Sequence, residues 1–368
     1  VNTGEHDRLN KPVTVDLSSD FLPVGSGITL KLDRVIEVNK NGDVLDHNVE
    51  AQFDPALEND FSGNNFGKLT FLMKGESLKG SIRRYQAFFG STSERFADPQ
   101  FQQRVTSEDD INHLGFQSFR FVTNNATYLY HKKGSAFAGM IDLDGNDWIS
   151  YRPEGGAEGS YRGIPNIAPA GFHPGPGEAN SVSRLISIGP LRAQIHSETL
   201  DGEWACTWEI FPSYSSMTLE RKGNEPYWIL YEGTPGGRFT TSDYWVDSSG
   251  RRFDSVPFTS KQKWNGDLPE PEWVYFVDPE LDRALFLIHH EFSDKMDEYW
   301  HFGDGGMTVF GFGRGPRADG WQRLEKVPAR FTIGFAETTD FVLLTRIIHS
   351  AYEPLEVRVG KIEAANLD

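Results

Sequence analysis

Residues 285–314 read LFLIHHEFSDKMDEYWHFGDGGMTVFGFGR. The opening LFLIHHE and the closing MTVFGFG are short apolar runs separated by an acidic loop and a Gly-Asp-Gly-Gly turn. This is a strand signature rather than a helical period. In the first run His289 shares a face with Leu285 and Leu287, and His290 shares the other with Phe286 and Ile288, because successive strand side chains point to opposite faces. Only one of the two histidines can face a given cleft, which argues against a shared metal. His301 follows Tyr299 and Trp300 and returns to the same neighbourhood if the segment folds as a hairpin.

The same alternation recurs in ITLKLDRVIEV, KLTFLMK, SFRFVT, ATYLYHKK, RAQIHSETL, WACTWEIF, WVYFVD, ARFTIGFAE and LEVRVGKIE. Gly, Pro, Asn and Asp bound these runs, and no repeat of fixed period links them. The reading is all-β: one large antiparallel two-sheet β-sandwich, supersandwich-like, spanning residues 1–368 as a single domain. One or two short helices interrupt it. A helical insertion is expected at about 98–114, DPQFQQRVTSEDDINHL, and a second helix at about 340–351.

Composition agrees with a β-rich chain, with 13% aromatic residues against a modest 38% hydrophobic content. The net charge of −17 repels nucleic acid and anionic membrane surfaces at long range. Charge is screened beyond a Debye length of roughly 8 Å, so an anionic small ligand has to be met by local cations. With Cys206 the only cysteine, no intramolecular disulfide forms and no cysteine zinc site exists. No apolar run reaches the roughly 18 residues of a membrane-spanning helix. The chain starts at Val1, which fits a product of signal cleavage, and a secreted or periplasmic location is the expectation.

Three segments carry chemistry-bearing residues. DLDGND, residues 142–147, sits between the runs AFAGMI and WISY. It reads either as an ordinary Asp-Gly hairpin or as a structural calcium loop with Asp142, Asp144 and Asn146 as oxygen ligands. Residues 154–177, EGGAEGSYRGIPNIAPAGFHPGPG, exceed what joining two strands requires. They carry Tyr161, Arg162 and His173. Arg162 either offers its guanidinium fork to a ligand carboxylate or ties the loop down. The third segment, EGTPGGR at 232–238, begins with Glu232, which with Glu291 is the best candidate for a pair of catalytic carboxylates. No nucleophile elbow, phosphate-binding loop or dinucleotide fingerprint is present, so no organic cofactor is implied.

The alternating strands, the YRGIPN loop, the EGTPGG turn and HHE with a downstream Tyr resemble carbohydrate-active β-sandwiches, in style polysaccharide lyases and mutarotase-like supersandwich proteins. That resemblance implies a polysaccharide or oligosaccharide partner, without nucleic acid or membrane insertion. Foremost it implies a lyase acting on a uronic-acid-containing glycan by β-elimination. Arg162 or Arg314 would then neutralise the uronate, His173 or His289 would act as base, and Tyr299 as acid. Trp148, Tyr161, Glu232, Trp300, His301 and Arg314 would bind substrate, the rings by stacking. A glycoside hydrolase using paired carboxylates and a non-catalytic carbohydrate-binding protein are the alternatives.

Overall fold

The computed structural model describes residues 6–18, 31–56, 65–90, 101–154, 162–175, 181–254, 262–302, 307–315 and 323–360. They form two compact units where the alternation pattern suggested one domain. Alternation says that a strand has one buried face, and does not say which other strands share that core.

The first unit comprises Val1–Gln103, Gly189–Arg192 and His349–Asp368. Its strands are β1 (Arg8–Ser18), β2 (Lys31–Val38), β3 (Val44–Val49), β4 (Ala51–Pro55), β5 (Asn65–Ser77) and β6 (Arg84–Gly90). They make two three-stranded sheets, ordered β1-β5-β4 and β3-β2-β6. Leu69, Phe71 and Met73, every second residue of β5, meet Val13, Val35 and Val49 in its core, as the period of two requires.

The second unit, Arg104–Ile188 with Ala193–Ile348, is the sandwich. In chain order its strands are β7 (Thr106–His113), β8 (Phe116–Val122), β9 (Ala126–His131), β10 (Ala136–Asp142), β11 (Gly163–Ala168), β12 (Ser181–Ile188), β13 (Ala193–Thr199), β14 (Ala205–Ile210), β15 (Tyr214–Arg221) and β16 (Trp228–Gly233). There follow β17 (Tyr244–Asp247), β18 (Arg252–Asp254), β19 (Gln262–Gly266), β20 (Trp273–Asp278), β21 (Arg283–His289), β22 (Asp297–Phe302), β23 (Met307–Phe312) and β24 (Ala329–Ala336). Two nine-stranded antiparallel sheets result. Sheet I runs β19-β22-β23-β16-β11-β10-β9-β8-β7, and sheet II runs β12-β13-β14-β15-β24-β21-β20-β17-β18. Tyr130, Phe137, Tyr231 and Phe310 of sheet I pack with Trp208, Phe276, Leu285 and Ile333 of sheet II in one continuous core. Cys206 is buried there as a free thiol.

The expected insertion at 98–114 is corrected. Residues 106–113 are β7, the edge strand of sheet I, and residues 98–100 lie outside the described set. Among the described residues β7 pairs only with β8, and it slips register between Glu108 and Ile111. Mostly solvated along its length, it lacks the apolar alternation that identifies inner strands and reads like a polar helix. The second expected helix is present as α1 (Phe341–Tyr352). The Asp340 carboxylate caps it by accepting from Leu343 N at 2.8 Å.

The Gly-Pro turn after β16 is a single 3-10 turn, Pro235–Gly237. Gly236 sits at φ 71°, and a Cβ there would lie 2.1 Å from Asp278 Oδ2, so both backbone conformation and space demand glycine. Nearby, burial together with Asp278 and Glu280 pushes the Asp243 carboxyl up to about 7, although donors from Thr240 oppose this. The folded state therefore holds this proton more tightly than the unfolded chain, whose Asp titrates near 3.9. The favourable contribution is complete below pH 4 and is lost as pH rises through 7. An Asp243→Asn variant is expected to be more stable than wild type at pH 8, by on the order of 2 kcal/mol, and not at pH 4. Urea unfolding at the two pH values checks this; a difference of the same size at both would refute it.

Candidate active site on the outer face of sheet I

Strand alternation in β16 sends Ile229 and Tyr231 into the core and leaves Trp228, Leu230 and Glu232 on the opposite, outer face of sheet I. The neighbouring strands extend that face in register. Lys263 of β19 stands opposite Trp300 of β22, Trp300 opposite Val309 of β23, and Val309 opposite Glu232 of β16. A second row holds Asn265, Glu298, Gly311, Leu230 and Asn166. With strands about 4.8 Å apart, the first row spans roughly 14 Å. Leu230, Met307 and Val309 form its apolar floor, flanked by Trp228 and Trp300. A Cβ at Gly311 would meet Leu230 Cδ2 at 2.2 Å and Arg314 Cβ at 3.0 Å, so a larger residue there would displace the Leu230 side chain from the floor.

The acid–base element is the pair Glu232 and His173. Glu232 Oε2 lies 3.0 Å from His173 Nε2 and accepts from Asn166 Nδ2 at 3.2 Å. His173 Nδ1–H donates to the Pro174 carbonyl at 2.9 Å, which leaves Nε2 to meet the carboxylate and places a proton between the two groups. The loop bearing His173 is fixed from behind: His173 N donates to Gly134 O at 2.8 Å, and Gly175 N donates to His131 Nδ1 at 2.9 Å. Having accepted at Nδ1, neutral His131 donates from Nε2 to His113 Nδ1, 2.9 Å away. Burial, with His113 and His173 nearby, pushes His131 down to about 3, so this support stays neutral at ordinary pH.

Cations and one further acid ring the trough. Lys263 Nζ is 3.2 Å from Glu298 Oε2 and 4.5 Å from the centroid of the Trp300 ring. Arg314 reaches Glu298 at 3.7 Å and lies 5.7 Å from the Trp228 ring, over which Arg323 sits at 4.5 Å. These cations supply local positive charge at the trough within a chain of net charge −17.

Of the residues singled out from sequence, His173, Glu232, Trp300 and Arg314 belong to this face. The others do not. Tyr299 is 2% exposed and stacks on Trp245 in the core, where burial pushes its phenol upward. His301, on the same inward side, stacks on Phe239 and is pushed down to about 4 by burial. His289 also points inward, stacked on Phe331, and donates to Glu272 Oε2 at 2.5 Å. His290 takes the opposite face and bonds Thr332 and Arg330, so the alternation within the HH pair holds. Arg162 is buried and donates to Thr234 Oγ1, which joins the start of β11 to the turn after β16. Trp148 is fully buried and donates to Asp142 Oδ2 at 2.9 Å. Tyr161 lies outside the described residues. Glu291 accepts from Arg330 N at 2.7 Å, apart from the partners of Glu232.

The turn at Asp142, Asp144 and Asn146 is a hairpin whose cation is a side chain. Arg283 lies 2.7 Å from Asp142 Oδ2 and 3.1 Å from Asp144 Oδ2. The remaining acceptor positions of Asp142 are taken by Trp148 Nε1 and by the amides of Asp144 and Asn146. A guanidinium stands where the calcium reading placed an ion. Sequence reasoning missed Asn166, Trp228, Lys263 and Glu298. The alternation that turns Tyr299 inward turns Glu298 and Trp300 outward, and that was the available signal.

No family model matches this chain, and no curated protein sequence matches it. Among solved structures, a protein of glycosyl hydrolase family 38 from Enterococcus faecalis is similar over 94% of this chain and 46% of its own, at 10% identity and TM-score 0.46. The protein HI1317 is similar over 63% of this chain and 99% of its own, at 13% identity and TM-score 0.44. A protein described as a mutarotase, YeaD of Salmonella typhimurium, is similar over 60% of this chain and 90% of its own, at 13% identity and TM-score 0.37. Likenesses of this size leave the chemistry to be argued from the residues.

Proposed function

We propose that the outer face of sheet I binds a carbohydrate and that Glu232 and His173 move a proton on its ring, so that the protein is a carbohydrate-active enzyme. The observation that carries this reading is the 3.0 Å contact between Glu232 Oε2 and His173 Nε2 on the face that also bears Trp300 and Trp228. Flat aromatic faces suit the C–H faces of a sugar ring, and polar side chains between them suit its hydroxyls. One acid–base pair is enough to interconvert anomers. Glu232 takes the proton of the anomeric hydroxyl as the ring C–O bond breaks, and imidazolium His173 gives its proton to the ring oxygen; reclosure on the other face reverses both transfers. A hydrolase needs a second available carboxylate, and Glu298 is held by Lys263 and Arg314.

Lys263 and Arg314 favour a second reading, in which the sugar carries a carboxylate or phosphate and the pair acts as base for β-elimination of a uronate glycan. Tyr299 and His289 turn inward, so in that reaction the base would be His173 or Glu232 and the cation Lys263 or Arg314. Incubating the protein with neutral, uronate and phosphorylated sugars, and with uronate polysaccharides, separates the two. Accelerated anomer exchange by proton NMR is the expected result, and a new ultraviolet-absorbing unsaturated end would select elimination. Absence of both, together with absence of sugar binding, would sink the proposal.

A further inference from the structure

The crossover from β19 to β20, DLPEPE at 267–272, carries acids that the proposed chemistry does not use. Asp267 follows β19, Glu272 precedes β20, and Asp297 opens β22, where it stands in register with Gly266. One carboxylate oxygen from each lies within 4.8 Å of the other two, which is the span of oxygens placed around one cation at 2.3–2.6 Å. Glu272 and Asp297 are 0% and 1% exposed. Glu272 Oε1 is buried with no hydrogen-bond partner, while Oε2 accepts from His289 Nδ1.

Among the described residues no Lys or Arg pairs with any of the three, and the one side-chain ion-pair partner is the His289 imidazole at Glu272. Asp297 is aimed by two backbone donors, Gly313 N to Oδ1 at 3.0 Å and Leu268 N to Oδ2 at 3.2 Å, leaving a lone pair on each oxygen. A buried carboxylate oxygen without a partner is costly unless a cation or proton meets it.

We propose that Asp267, Glu272 and Asp297 hold a divalent cation that prefers hard oxygen ligands, of the calcium class, at the point where the chain passes from sheet I to sheet II. Three carboxylates, with water completing the shell through exposed Asp267, match calcium better than zinc, which takes nitrogen and sulfur more readily. The ion would clamp the end of the antiparallel β19–β22 pair, whose outer face carries Lys263 and Trp300, and its binding energy would add to folding. This site is separate from Glu232, so its failure leaves the sugar reading intact.

The test is calcium titration of the full chain after dialysis against a chelator, followed by calorimetry and thermal unfolding. One equivalent of calcium is expected to bind, and at 100 times the dissociation constant the melting temperature should rise by about 5 °C or more. Asp297→Asn should abolish both effects. Asp267→Asn, which alters only the exposed rim, should leave the calcium-free melting temperature unchanged while weakening binding at least about tenfold. Wild type that shows neither heat nor a melting shift at about 10 mM calcium overturns the proposal. So does undiminished affinity in the Asp267→Asn protein.

Discussion

Replacing Glu232 with Gln is expected to lower sugar turnover by about 10²–10⁴-fold while changing sugar affinity by less than about threefold. The substitution keeps shape and burial. Its amide can donate to His173 Nε2, so His173 keeps its Nδ1–H bond to Pro174 O, and the loop stays where Gly134 and His131 hold it. What disappears is the proton acceptor. A His173→Gln partner variant should show a similar loss, and the double variant should be little worse than either single one, because two groups that act as one relay do not lose activity additively. Stopped-flow or NMR rates with separately measured binding decide the matter. Turnover in Glu232→Gln within about twofold of wild type would remove this pair from the chemistry.

The sequence carried most of the sandwich because nearly every inner strand has one apolar face, and period two is visible in short windows. It failed at β7 for a physical reason: an edge strand whose residues are mostly solvated obeys no alternation. The site was legible only in part. Alternation splits His289 from His290 and Tyr299 from Trp300, yet it does not say which face of a sheet is the outer one. Taking the ring-rich inward set as the cleft placed Tyr299, His301 and His289 in a site, whereas they belong to the core. Glu232 and His173 were found because they flank Gly-Pro loops. Lys263 and Asn166 were not, since their meaning comes from cross-strand register in a nine-stranded sheet, which no local window contains. The same limit hid Arg283 from the DLDGND turn, 139 residues away along the chain.

That arginine gives the largest expected effect on stability. Arg283 is 5% exposed and meets Asp142 at 2.7 Å, Asp144 at 3.1 Å and Glu337 at 2.5 Å. Burial alone would lower its pKa, but Glu337 and Asp142 more than offset this and hold it raised. Burial would likewise raise Asp142, and Trp148, Asn146 and Arg283 together keep it lowered. Arg283→Met fills similar volume but leaves Asp142, whose side chain is fully buried, without its cation; the expected cost is about 3–5 kcal/mol. Asp144 and Glu337 are largely solvated and add little. If the cost is the uncompensated charge, Asp142→Asn in the Arg283→Met background should recover part of it, because the neutral amide needs no counter-ion. Recovery is partial because its single oxygen can accept from Trp148 Nε1 or from the Asp144 and Asn146 amides but not from both sets. Urea unfolding of the two single variants and the double variant closes the cycle. An Arg283→Met loss below about 1 kcal/mol, or a double variant whose loss equals the sum of the singles, would mean that the guanidinium serves this hairpin by packing alone.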